Sequence, residues 1–274
     1  MSDDDVTRGQ RESDAFNARG IEAADRKWYD EAVRAFQKAI ELDATSAHAH
    51  DNLATVYAEQ QQYLLALENY IAALRLEPDN PTTHYNLACF LTGHGHAMAV
   101  SEYQEAIRLE HDYPDAHVNL GLCFADAGDH ASAIREFRVA VDLDPGDLGA
   151  KQELAASLID VGEFAEAIRH LKDVVRIEPG NVDAHIDLGI AYTEQGFYAE
   201  AERTYRAGID AAPREVLLRY HLASLYAAWG KAEDALKALE TAAALDKERV
   251  VEWADGDRAF DALRGEAEFT RILG

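Results

Sequence analysis

The chain has 274 residues, with 51 Asp and Glu against 26 Lys and Arg, for a formal net charge of −25. A surface this negative repels phosphate backbones and anionic membranes, which argues against nucleic acid and membrane and for basic protein segments as partners. An apolar share of 48% is enough for a real core and too high for a disordered acidic chain.

Residues 1–12 carry acids where a secretory leader would carry a basic and then an apolar run, and read as a disordered acidic tail. No stretch approaches the roughly 20 apolar residues of a membrane helix. Cys89 and Cys123 are too few for a disulfide framework, so the reading is of free thiols in a cytoplasmic protein.

From residue 13 onward the chain repeats itself. Pro145, Pro179 and Pro213 are spaced by 34 residues, and Pro78 falls at the same place of the repeat. The register divides the chain into seven units: 13–46, 47–80, 81–113, 114–147, 148–181, 182–215 and 216–249. The third is one residue short, in the Thr92–Ala97 turn. Alanine holds the twentieth place throughout (Ala32, Ala66, Ala99, Ala133, Ala167, Ala201, Ala235). A large residue follows four places on (Phe36, Tyr70, Tyr103, Phe137, Leu171, Tyr205, Leu239), and a small one precedes at the eighth place. Apolar residues at i, i+3, i+4 and i+7 predict two short amphipathic helices per unit. Gly128, Gly162, Gly196 and Gly230 mark the turn between them, and the prolines stop the second helix. Residues 250–274 carry Phe260, Leu263, Phe269 and Leu273 at helical spacing and read as a cap and tail that close the array.

This pattern resembles the tetratricopeptide repeat (TPR). The resemblance implies an all-α, right-handed α-solenoid of seven helix-turn-helix units with a C-terminal capping helix. It also implies a concave groove lined by the second, fifth, sixth, ninth, twelfth and thirteenth places of each first helix, where partners bind.

That stripe holds eleven acids and no Lys or Arg, where random placement would give about four cations. Two rows within it are the candidate partner-binding residues. Asn52, Asn86 and Asn119 take the sixth place in three consecutive units, and an amide both donates and accepts, so it can pair with an extended peptide backbone. Such a row resembles the asparagine ladder in the TPR part of O-linked N-acetylglucosamine transferases; Glu153, Asp187 and His221 continue it. The second row is Asp25, Glu59, Asp126, Asp160 and Glu194 at the thirteenth place. Tyr85 and Tyr220, with Ile186, Ile190 and Leu217, are expected to add apolar anchoring. The absence of cations from the stripe argues against co-chaperone TPR function, which clamps a terminal carboxylate with Lys and Arg.

No phosphate loop, nucleophile elbow or zinc-type cysteine spacing is present, so no catalytic residue, cofactor or metal is assigned. His50, His84, His117 and His185 recur once per unit at the fourth place, about 10 Å apart by ordinary helix spacing. That separation is too wide for one zinc, and they read as packing residues. The GHGH run with His94 and His96, near His111, reads as an exposed turn.

The expectation is therefore a non-enzymatic cytoplasmic scaffold that binds an extended Lys/Arg-rich segment. Two alternatives stay open: a regulatory or substrate-recognition subunit of a separate enzyme such as a glycosyltransferase, and a self-assembling structural protein. The acidity has a second reading as well, adaptation to high salt, since seven lysines stand against nineteen arginines.

Overall fold

The computed structural model describes residues 3–93 and 95–274. Among them all regular structure is helical, and no helix is long and apolar enough to cross a membrane. The chain forms two compact units, one up to Ala127 and one from Gly128, so the division falls between the two helices of the fourth repeat.

The first unit contains α1 (Asp3–Asp25), α2 (Tyr29–Leu42), α3 (Ala47–Glu59), α4 (Tyr63–Leu76), α5 (Pro81–Thr92), α6 (His96–Leu109) and α7 (Pro114–Asp126). The second contains α8 (His130–Leu143), α9 (Leu148–Asp160), α10 (Phe164–Ile177), α11 (Val182–Glu194), α12 (Tyr198–Ala211), α13 (Val216–Ala228) and α14 (Ala232–Ala243). It closes with α15 (Lys247–Gly256), a 3-10 turn (Arg258–Leu263) and α16 (Ala267–Leu273).

Helix starts follow from capping chemistry. Asn80, Asp147 and Asn181 accept from the backbone N–H three residues on, at 3.0–3.1 Å, and Pro81 and Pro114 open their helices where no N–H is needed. In the described turns inside the repeats one residue takes the left-handed conformation. Gly162 and Gly196 supply it at φ +80° and +75°, whereas in the first two repeats Lys27 and Gln61 hold φ 60° at the same place.

The repeating alanine is fully buried in all seven repeats. The large residue four places on fills the space beside it; Phe36, Tyr70, Tyr103, Phe137, Leu171, Tyr205 and Leu239 are at most 2% exposed. A fully buried side chain of this size contributes about 2–3 kcal/mol, so these positions are the spine of each unit.

The structure differs from the sequence reading at both ends. Residues 3–12 continue α1 and are not an unstructured tail, while residues 1 and 2 lie outside the described residues. Ser13 Oγ ties the helix to Ala39 O at 2.9 Å. At the other end Tyr220, expected on an open surface, is 5% exposed. Trp253 and Phe260 meet it edge to face, 5.3 and 5.7 Å away, and Tyr220 Oη donates to Asp257 Oδ2 at 2.7 Å. The cap therefore occupies the anchor. Ile186, also expected as an anchor, is 6% exposed within the core of this unit. Tyr220→Phe is expected to cost about 1–2 kcal/mol, from loss of one bond to a charged acceptor; chemical denaturation would measure it, and an unchanged midpoint would refute it.

Candidate functional site

Within each unit the first helices of successive repeats touch one another: α1 with α3, α3 with α5 and α5 with α7, then α9 with α11 and α11 with α13. Among the described residues the second helices make no comparable contact with each other. The first helices thus form the inner layer of each unit, and their exposed stripe is the candidate binding face.

In the first unit the asparagine row has a structural role that spacing did not disclose. Asn52 Nδ2 donates to Asn17 Oδ1 at 3.1 Å, Asn86 Nδ2 to Asp51 Oδ2 at 2.8 Å, and Asn119 Nδ2 to Tyr85 Oη at 3.0 Å. Each sixth-place amide therefore braces the fifth-place side chain of the preceding repeat. One N–H of each amide is spent in this way, and Asn119 Nδ2 also donates to Cys89 Sγ at 3.9 Å; an amide has a second N–H and an oxygen to offer a partner. The fifth-place partners Asn17, Asp51 and Tyr85 are all polar, and this was the trace available in the sequence. Asp51 is 7% exposed, and burial pushes its carboxyl above the ordinary value against the bond from Asn86.

The acidic row is open to solvent. Asp25, Glu59 and Asp126 in the first unit and Asp160 and Glu194 in the second are all exposed. Tyr29 Oη donates to Glu59 at 3.4 Å, and His130 lies 3.3 Å from Asp160. No described ion pair joins any of the five to Lys or Arg. Several arginines instead pair on and beside the second helices, as Arg138 does with Glu163 and Glu166 at 3.0 and 2.8 Å.

In the second unit Asp187 is half-buried, with Asp183 one turn before it and Glu153 and Asp160 on α9. Desolvation, reinforced by these three like charges, pushes its pKa up to about 6.

A cleft of 290 Å³ opens on the inner face of the first unit, walled by Tyr63, Tyr70 and Phe90 with Thr55, Asn86 and Cys89, and with Glu59 at its edge. Phe90 lies 6.2 Å from Tyr63 and 5.8 Å from Tyr70, centroid to centroid. Tyr63 and Phe90 escaped the sequence reading because they stand at different places of two successive repeats and converge only in three dimensions; Cys89 holds a ninth place of the stripe. Tyr85 is half-buried beside Tyr103 and Tyr113, at 5.9 and 4.9 Å, with its hydroxyl held by Asn119.

The fourth-place histidines pack as expected: His84 and His185 each set Nε2 against the carbonyl six residues earlier, at 2.9 and 3.0 Å, and His50 pairs with Asn69. His94 of the GHGH run lies outside the described residues. Among those described, no group of three His, Cys, Asp or Glu side chains is placed to hold a metal.

Four family models described as tetratricopeptide repeat or TPR repeat match the chain, at residues 13–46 and 217–249, 54–89, 90–147 and 158–217. The chain belongs to the tetratricopeptide repeat family. No curated protein matches the sequence of this TPR chain. Among solved structures, PilF of Pseudomonas aeruginosa is similar at 22% identity and a TM-score of 0.66, over 77% of this chain and 96% of that one. YrrB, described as a TPR protein with an unusual peptide-binding site, is similar at 24% identity and 0.62, over 68% and 96%. MamA of Desulfovibrio magneticus RS-1 is similar at 20% identity and 0.57, over 65% and 97%. These likenesses establish a shared TPR fold.

Proposed function

We propose that this TPR protein is a non-enzymatic cytoplasmic scaffold whose inner face takes an extended Lys/Arg-rich segment of a partner protein. The observation that carries the reading is the set of exposed carboxylates on that face to which, among the described residues, no Lys or Arg is paired. Such a row focuses negative potential where a cationic segment would lie. The cleft beside Glu59 adds shape to charge. A Lys or Arg side chain entering it would lay its stem on Tyr63 and Phe90 and its charge against the Glu59 carboxylate, combining apolar and cation–π contact. The remaining N–H and oxygen of Asn86, on the wall of the same cleft, would engage the peptide backbone. The similarity to YrrB, itself described as having a peptide-binding site, agrees with this direction.

The test is a matched pair of charge reversals. Glu59→Lys with Asp160→Lys changes the inner face, and Asp142→Lys with Asp210→Lys makes the same change of net charge on second helices. With a fluorescein-labelled peptide of alternating Lys and Gly read by anisotropy, the inner-face variant is expected to bind about thirtyfold more weakly, from roughly 1 kcal/mol lost or repelled at each of the two sites. The second-helix variant should shift by less than about threefold, and neither should lose helicity. Equal losses from both variants would mean that only bulk charge attracts the peptide, and the proposal would fall.

A further inference from the structure

The second helices are charged on their outer side, with one exception. On α10 the outward places carry Glu166, Arg169, Lys172, Asp173 and Arg176, and α2 is similarly charged, with Glu31, Arg34, Lys38 and Glu41. On α4 the places of Glu166, Arg169, Lys172, Asp173 and Arg176 hold Leu65, Glu68, Ile71, Ala72 and Arg75, flanked by Leu64 and Leu76, the latter with an exposed apolar counterpart on α10, Ile177. Leu64 is 80% exposed, and Leu65, Ile71 and Leu76 are 38–39% exposed. Leu64, Glu68, Ile71 and Arg75 follow steps of four, three and four residues, so they form one stripe along the helix. In a chain of net charge −25 this stripe carries a single acid and a single base. Neither Glu68 nor Arg75 takes part in a described ion pair, and at seven residues apart they stand about 10 Å from each other along the axis, too far to pair.

The stripe is self-complementary. When two copies of α4 lie antiparallel about a twofold axis passing between Ile71 and Ala72, Glu68 of each copy faces Arg75 of the other. Ile71 then faces Ala72, large against small, Leu76 faces Leu67, and Leu64 and Leu65 reach the Pro78–Asp79 turn of the other copy. A twofold interface requires such reciprocity, residue i meeting j and j meeting i. An anionic membrane would instead need several cations around the apolar residues, and only Arg75 is present.

We infer that the outer face of α4 is a docking surface for a second copy of this chain, in an antiparallel helix-to-helix contact. One helix face buries less than the roughly 800 Å² per partner of a standard stable interface, so the association is expected to be weak and to need high protein concentration. This surface is distinct from the inner face, so peptide binding there is an independent readout.

Sedimentation velocity from 5 to 500 μM tests it. The full chain is expected to move from one copy, 30.3 kDa, toward twice that mass as concentration rises. Leu64→Glu with Ile71→Glu, both at exposed sites, should hold it at one copy throughout without loss of helicity. Arg75→Glu alone should weaken the dimer at least fivefold, and Glu68→Arg added to it should restore association by exchanging the partners of both reciprocal pairs. A monomer at 500 μM, a dimer indifferent to the Leu64/Ile71 variant, or failure of the charge exchange to restore it would overturn the inference.

Discussion

Gly189→Ala is expected to destabilise the second unit by about 2 kcal/mol, although alanine is the better helix former by about 1 kcal/mol. The reason is the distance between α11 and α12. A Cβ at Gly189 would lie 2.3–2.8 Å from three atoms of the Tyr205 ring, closer than any real contact, and the ring is only 2% exposed, with packed neighbours and no solvent to retreat into. Two solutions to the same joint exist elsewhere in the chain. Ala155 and Ala223 stand opposite leucine (Leu171, Leu239), whereas Ala54 and Ala88 share the joint with Tyr70 and Tyr103. The backbone around Gly189 has taken up the closer spacing that a missing Cβ allows, as around Gly20 against Phe36. Gly189→Ala combined with Tyr205→Leu should therefore be less destabilised than the sum of the two single changes, with a coupling of at least about 1 kcal/mol in a denaturant-unfolding cycle. If Gly189→Ala proves neutral, or the two changes add independently, the tight joint is not what the glycine is for.

Asp187→Asn is expected to stabilise the protein, and by an amount that depends on pH. Burial and the neighbouring Asp183, Glu153 and Asp160 raise the Asp187 pKa from 3.8 to about 6, so the folded state holds this proton more tightly than the unfolded state does. Stability therefore falls as pH rises from about 4 to about 6, and above that the full cost of the ionised carboxylate is present. Holding a carboxylate ionised so far from its ordinary surroundings costs about 3 kcal/mol. The asparagine variant should gain about that much at pH 7.5 and about half of it at pH 5. Urea unfolding at the two pH values, at low micromolar protein, decides the matter. A gain that does not shrink at pH 5 would show that Asp187 carries no such strain. The same site should tie stability to function, because a bound Lys or Arg offsets the repulsion that the asparagine removes. Peptide affinity at this unit should accordingly weaken below about pH 6, as Asp187 becomes neutral.

Much of the fold was legible in the spacing because a 34-residue repeat imposes the same local problem seven times. Ala201 and Tyr205 could be assigned to the core from Ala66 and Tyr70 alone. What spacing could not reveal is whatever depends on one repeat meeting the next or the cap. Tyr220 occupies a groove place by register, yet the cap, which has no counterpart in other repeats, covers it. Asn86 reads as a free amide until Asp51 is found beside it. The cleft at Glu59 joins Tyr63 from one repeat to Phe90 from another, and no single-repeat pattern contains both. The acidic row was fully legible, since an exposed carboxylate needs only its place on the helix.

The fourth-place histidines have a mechanical consequence. Where His84 and His185 bond the carbonyl six residues earlier, the linker between successive repeats is fastened to the helix that follows it. The fifth and seventh repeats have Lys151 and Arg219 at that place; Lys151 reaches toward Asp173, and Arg219 bonds Glu215 O within its own helix turn. Bending compliance within the second unit is thus unevenly distributed, low at the Pro179 linker and higher at the linker that precedes α13. A ligand that spans both would feel a stiff segment next to a yielding one.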